Sequence, residues 1–487
     1  MDTDPSERVR KPGARNPAIG KGYARNPAPP PSNDAAMHVD STSLTELGLV
    51  PDASGAWPLA SWLDTTHSSA AYTALKHLIA APLGDVEQIR ARQALLVQLV
   101  PVRSEIPWAS LEKLAAQVER YLASNYVIVP SPLIERTVFG LRFRAIVDDV
   151  TTQLRAVDTL LTLSDQVYTR IRALEGDAGF IEVRAAIAAA VNHPRRLSLR
   201  SAVARDRGVS TLDRVVRDTK AVGAHASQEM PTAVPMRFTL LSLVAALAQL
   251  DAFCSLANAS AALAGTVPNV ESRRDAALVL DGLWHPLLPG GVTSDVALSI
   301  DERVLFLTGP NMAGKSTLLR AMGIAVYCAH LGMAVSARRA CIPLYDEVLV
   351  SITVRDNLRR GESLYLAEVR RMRKIVDAVD RGDAVLAICD EVFRGTNIND
   401  ATDATQLLVD GLARAGVGTF VIASHLAHVA ESRALSVGVA CWCMEVELGD
   451  IPRFSYRARR GVSDVHLGMV LLDAEGVGPV LRRMAGQ

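Results

Sequence analysis

The sequence predicts a multidomain protein, an all-α helical core or lever domain followed by an α/β domain. A change of texture along the chain carries the first part of that reading. From about residue 45 to 265, apolar residues recur at three- and four-residue spacing, over Tyr72 to Ile79, Leu141 to Leu174 and Phe238 to Leu263. From about 270 onward, short apolar runs alternate with helical stretches: Val304 to Leu307, Val385 to Cys389, Thr419 to Ala423 and Val439 to Val446. That alternation predicts a mostly parallel sheet flanked by helices. A third observation specifies the α/β domain. Gly309-Pro310-Asn311-Met312-Ala313-Gly314-Lys315-Ser316-Thr317 fits G-x-x-x-x-G-K-[ST], the loop that wraps nucleotide phosphates.

Length and composition agree with several domains. The chain has 487 residues, and 49% of them are apolar, ample for large cores. Lys+Arg and Asp+Glu both number 52, so no global basic field advertises nucleic-acid binding. The six cysteines show no zinc spacing, and their usage fits a reducing cytoplasm. The sequence reads as having neither a signal peptide nor a membrane helix.

Residues 1–42 form the first predicted segment, a disordered tail rich in Pro, Arg and Asn, in which Arg15-Asn16-Pro17-Ala18 recurs as Arg25-Asn26-Pro27-Ala28. Its low apolar content cannot offset the entropy of ordering. Residues 43–268 are the helical domain and 269–487 the α/β domain. Between two helical blocks, Arg195, Arg196, Arg200, Arg205, Arg207, Arg214, Arg217 and Lys220 make a basic stretch. It reads as a solvated connector or as a surface that contacts phosphates.

The candidate site is built on the strand tips. Val304 to Leu307 enters the loop as a buried strand, and the helix after it directs its N-terminal dipole at the phosphates. Lys315 is expected to reach the β- and γ-phosphates, and Ser316 to ligate Mg²⁺. Val385 to Cys389 ends in Asp390 and Glu391. Asp390 is the expected Mg²⁺ partner, and Glu391 the group that positions or deprotonates water. Another apolar strand ends in Ser424-His425, where His425 is placed to meet the γ-phosphate or the attacking water. Ser363, in Gly361-Glu362-Ser363, reads either as a helix N-cap or as a serine offered to a phosphate.

These residues resemble the MutS family of DNA mismatch-repair ATPases. Thr308 to Thr317 is close to that family's P-loop, with Ala313 where glycine is common, and Asp390 to Thr396 resembles its Walker B run. Ser424-His425 resembles its Thr-His switch, Gly361 to Ser363 its signature loop, and Trp284-His285-Pro286-Leu287 the segment bordering the adenine. Leu59 to Thr66 and Leu247 to Asp251 resemble parts of its core domain more weakly. The resemblance implies an ABC-type ATPase with ATP and Mg²⁺ as cofactors. It also implies a homodimer with composite ATP sites, completed by Ser363 of the partner subunit, and His285 beside the base. Mismatched or branched DNA is the implied partner. Nothing before residue 45 reads as the family's mismatch-reading domain, and Phe180-Ile181-Glu182 matches its Phe-x-Glu only by coincidence. An ATP-switched factor that binds protein or ribonucleoprotein is the rival reading. A transport ATPase fits less well, because no Leu-Ser-Gly-Gly-Gln signature is present.

Overall fold

A computed structural model describes residues 36–50, 58–124, 144–197, 199–200, 216, 219, 235–272, 276–288, 290–352, 364–433, 437–447, 453–463, 472–473 and 475–485. The expected tail up to residue 35, the signature segment 361–363 and most of the basic stretch lie outside them. In chain order the elements begin with β1 (His38–Val39), α1 (Ser41–Glu46), α2 (Pro58–Leu63), α3 (Ser69–Ala80), α4 (Val86–Val102) and α5 (Trp108–Ala123). Then come α6 (Arg144–Ile171), α7 (Ala178–Val191) and α8 (Met236–Ala262). The sheet-forming part follows with β2 (Asn269–Glu271), β3 (Leu278–Leu283), β4 (Ser294–Leu298), β5 (Val304–Thr308), α9 (Lys315–His330), β6 (Arg339–Pro343) and β7 (Glu347–Ser351). It ends with α10 (Leu364–Asp380), β8 (Val385–Asp390), α11 (Ile398–Ala413), β9 (Thr419–Ala423), α12 (Ala427–Arg433), β10 (Val439–Glu447), β11 (Arg453–Arg460) and α13 (Val477–Met484).

The strands form two sheets. A seven-stranded sheet has the order β1-β7-β8-β9-β5-β10-β11, parallel except for its last pair, and a four-stranded sheet has the order β2-β6-β3-β4. Strands β5 and β9 are buried at every position, as expected of parallel strands covered on both faces. Alternate residues feed opposite cores. Leu305, Leu307, Leu386, Ile388, Val421 and Ala423 join the larger cluster, while Val304, Phe306, Val385, Ala387, Phe420 and Ile422 join the smaller one. The smaller core is closed by α10, α11 and α12, whose Met372, Ile375, Leu408, Val409 and Val429 belong to it.

The larger core runs on from the sheet into the helices. Helix α9 is buried along almost its whole length, from Leu318 to His330. The Tyr327 hydroxyl donates to the Ile79 carbonyl at 2.5 Å, at the end of α3. His330 Nδ1 donates to the Leu83 carbonyl at 2.7 Å, while the Leu83 N–H donates back to the His330 carbonyl at 2.8 Å. Burial pushes the His330 imidazole down to about 4, so the ring is neutral at pH 7. Next to this helix end, Arg92 of α4 pairs with Asp177, the N-cap of α7. A Cβ at Gly332 would lie 2.8 Å from the Arg92 stem, and the backbone there has φ +73°.

Helix α8 is the centre of the helical part, packing against α2, α3, α4, α5 and α7. By length and composition it could cross a membrane, yet 72% of its most apolar window is buried in the fold. Its Phe253 meets the fully buried Phe180 edge to face at 5.9 Å. Phe180 is thus a core residue.

Residues 36–49 divide between the expected tail and the expected helical domain, but they run along the sheet. Strand β1 pairs in parallel with β7. Asp40 caps α1 by accepting the Ser43 N–H at 2.9 Å and also pairs with the buried Arg371 of α10. Arg371 further donates to Ser43 Oγ at 2.8 Å and to the Val350 carbonyl at 2.7 Å. Burial alone would push the Asp40 carboxyl up, but hydrogen bonds from Arg371 and Ser43 hold it well below the usual range. An acid depressed in the folded state adds stability above its unfolded pKa of about 3.9, and that stability is lost as pH falls toward the folded value. Asp40→Ala should therefore cost about 3 kcal/mol in urea unfolding at pH 7, because it strands the buried Arg371. The gap from wild type should narrow as the pH is lowered from about 5 toward 2.

Candidate functional site

Ladder register brings the three motif-bearing strand tips side by side. Asp390 of β8 pairs with Ala423 of β9, and Ala423 pairs with Leu307 of β5. The ladder continues past the strand ends, as Glu391 N–H donates to the Ala423 carbonyl at 2.9 Å and Ser424 N–H to the Leu307 carbonyl at 3.0 Å. This is the carboxyl end of a parallel sheet, where such folds bind ligands.

A cavity of about 770 Å³ opens there. Pro310, Asn311, Met312, Gly314, Lys315, Ser316, Thr317, Asp390, Glu391 and His285 all line it. Gly309 and Ala313 are not on its wall; Ala313 is fully buried beneath the loop. Gly314 stands at φ +98° as the residue preceding α9, with the Tyr456 ring 3.2 Å from where a Cβ would sit. Both the left-handed backbone and the close ring require glycine.

Lys315 is buried and folded onto its own loop. Its Nζ donates to the Gly309 carbonyl at 2.7 Å, to the Pro310 carbonyl at 3.1 Å and to Asn311 Oδ1 at 3.4 Å. Burial lowers its pKa, against the opposing charges of Asp390 and Glu391. The Ser316 hydroxyl donates to Asp390 Oδ2 at 2.5 Å. The other oxygen, Asp390 Oδ1, is buried without a hydrogen-bond partner among the described residues. A buried carboxylate oxygen left unpaired beside a hydroxyl is a donor set that fits Mg²⁺, a hard cation that prefers oxygen.

The turn after β8 is strained. Glu391 and Phe393 have φ +52° and +61°, and Met312 in the loop has φ +73°. Non-glycine residues in this region cluster at functional sites. Glu391 Oε2 lies 3.7 Å from Arg394 Nη1.

At the other end of the cavity, His285 follows β3. Its Nδ1 accepts from the Leu287 N–H at 3.3 Å, leaving Nε2 to carry the ring proton. Burial, and then the Arg320 charge, lower its pKa, so it is neutral at pH 7. Trp284, Leu288 and Val292 extend this wall.

His425 stands two residues past the end of β9, is exposed and does not line the cavity. Ser363 lies outside the described residues. Among the wall residues, Arg320 and Tyr456 had no role in the sequence reading, while Arg394 lies within the Asp390 to Thr396 run. Arg320 stands one helical turn beyond Ser316, a spacing that marks a shared face. Tyr456 had no such signal, because an antiparallel edge strand delivers it. Of the basic stretch, Arg195, Arg196 and Arg200 are described, and Arg196 pairs with Asp165 at 3.3 Å.

The sequence is similar to known proteins. Residues 305–482 match the model of MutS domain V. The chain is 34% identical over 189 residues to a DNA mismatch repair protein MutS of Sorangium cellulosum, covering 38% of this chain and 20% of that protein. It is 30% identical over 297 residues to a protein of the same name from Granulibacter bethesdensis, covering 57% of this chain and 31% of that one. A third, from Pseudothermotoga lettingae, is 27% identical over 250 residues, which are 50% of this chain and 30% of the relative. The matched segment is therefore less than a third of the length of each of these relatives.

Burial raises the Asp390 carboxyl, with the Ser316 hydrogen bond and the Lys315 charge acting against it. An acid whose pKa is raised by folding favours the fold below its unfolded pKa and loses that contribution as pH rises through the folded value. Asp390→Asn should therefore raise the thermal midpoint of the nucleotide-free protein at pH 7. The same variant should gain less than wild type from added Mg²⁺-nucleotide in the same melting experiment.

Proposed function

Taking this chain as a MutS-family protein whose residues 305–482 correspond to that family's domain V, we propose that it hydrolyses ATP and binds mismatched or branched DNA as an ATP-gated homodimer. The observation that carries the reading is the meeting of Lys315, Ser316, Asp390 and Glu391 on one cavity wall. A phosphate loop, a metal-binding pair and a carboxylate base are the parts that phosphoryl transfer to water requires.

In this reading Lys315 exchanges its loop carbonyls for the β- and γ-phosphate oxygens of ATP. Ser316 and Asp390 would hold Mg²⁺. The bound ion supplies charge neutralisation at the phosphates. Glu391 takes a proton from the attacking water as its oxygen bonds to the γ-phosphorus, and the bridging P–O bond to ADP breaks. His285 and Trp284 border the base, with the neutral imidazole offering its Nε2–H as a donor. His425 stands at the tip of β9 and meets the water or the γ-phosphate when the site is closed. Ser363 of the partner subunit completes that closure.

ATP drives the dimer only as far as it binds the closed state better than the open one. The helical part moves with the nucleotide site because α9 belongs to both. DNA is held through its phosphates, so binding falls steeply with salt.

Glu391→Ala should keep nucleotide affinity and slow hydrolysis about 100-fold or more, as loss of a general base does. Unchanged turnover in that variant would remove Glu391 from the mechanism. Lys315→Ala should instead weaken binding itself, read by titration with a fluorescent ATP analogue. Steady-state ATPase rates against homoduplex, mismatched and branched DNA at about 50 mM salt test the partner. If none binds or stimulates, the DNA reading fails and the rival stands, an ATP-switched factor for protein or ribonucleoprotein.

A further inference from the structure

Helix α10 starts beside the catalytic turn and carries a buried acid that hydrolysis as described does not use. Glu368 is almost fully buried, and its two oxygens have different partners. Oε2 accepts the Gly395 N–H at 3.3 Å, and Oε1 lies 3.6 Å from Arg394 Nε. Arg394 in turn lies 3.7 Å from Glu391 through Nη1. One arginine thus stands between the buried Glu368 and the carboxylate read as the base.

The turn itself is pressed onto the first turn of α10. A Cβ at Gly395 would lie 2.6 Å from the Tyr365 nitrogen and 2.9 Å from its Cα. The Tyr365 and Phe393 rings are 6.3 Å apart. With Glu391 and Phe393 both at positive φ, the turn needs outside contacts to hold its shape. Three residues along α10, Arg371 anchors the same helix to Asp40. A buried ion pair is weak evidence for stability, because an apolar replacement is often as stable. What the Glu368–Arg394 pair adds is a buried charge 3.6 Å from the guanidinium that also nears Glu391.

We propose that Glu368 is a positioning residue for hydrolysis: it orients Arg394, and Arg394 orients the Glu391 carboxylate. This rests on the reading of Glu391 as the base.

Glu368→Gln separates the two duties of the side chain. The amide oxygen still accepts the Gly395 N–H, so that hydrogen bond remains, while the charge beside Arg394 is gone. Single-turnover hydrolysis should slow about tenfold or more, with ATP affinity within about twofold of wild type, as expected for a misplaced reacting group. Arg394→Lys keeps the charge but loses the fork, and should slow the same step with the same affinity. In a Glu391→Ala background neither substitution should slow hydrolysis further, because residues acting through one group are not additive. Melting curves confirm that each variant is folded, and the arginine variant serves if the buried glutamine unfolds the protein. Wild-type hydrolysis in both single variants would overturn the proposal. So would an equal further loss in the Glu391→Ala background, which would mean that Arg394 acts on the phosphate by itself. If Glu391→Ala retains full turnover, the base assignment and this proposal fall together. If Glu391→Ala is slow and the other two are not, only this proposal falls.

Discussion

Helix α9 is covered along most of its length. Its first turn follows Gly314 and presents Lys315 and Ser316 to the cavity, and its middle, with Met322, Ile324 and Ala325, is buried in the core shared by sheet and helices. Its last turn is bonded to the Ile79 and Leu83 carbonyls of the helical part. A helix apolar all round must be enclosed, and enclosure here comes from the sheet on one side and the helices on the other. Neither cover alone would bury it. The neutral His330 is part of the same constraint, since a charged ring there would lack solvation.

Strand register does for the acids what α9 does for the loop. Parallel pairing of β8, β9 and β5 is fixed because each strand is buried on both faces, and a slip of one residue would exchange the two cores. With the register fixed, Asp390 ends level with Ala423 and Leu307, and Ser316 reaches it across the loop. Site geometry is then a by-product of core packing. The local strain at Met312, Glu391 and Phe393 is held by that rigid frame and by α10.

Electrostatics in the cavity follow from burial. Lys315 and Asp390 are each driven toward neutrality by desolvation, and each is partly restored by the other's charge. Such a pair is poised for ligands that bring opposite charges, a phosphate for the lysine and a cation for the carboxylate.

The loop, the Asp390-Glu391 pair and the strands that carry them were legible in the sequence, because each is a local pattern with its own periodicity or spacing. His425 was legible as a strand-tip histidine, but its exposure was not. Tyr456 was invisible, as were the contact between Arg394 and Glu368 and the strap that Asp40 fastens to Arg371 across more than three hundred residues. Apolar spacing determined which segments became helices or buried strands, since amphipathic faces must find cover wherever the chain goes. Which strand lies beside which, and which side chain closes on Glu391, was decided only when distant segments packed, because burial rewards total contact and carries no memory of sequence order.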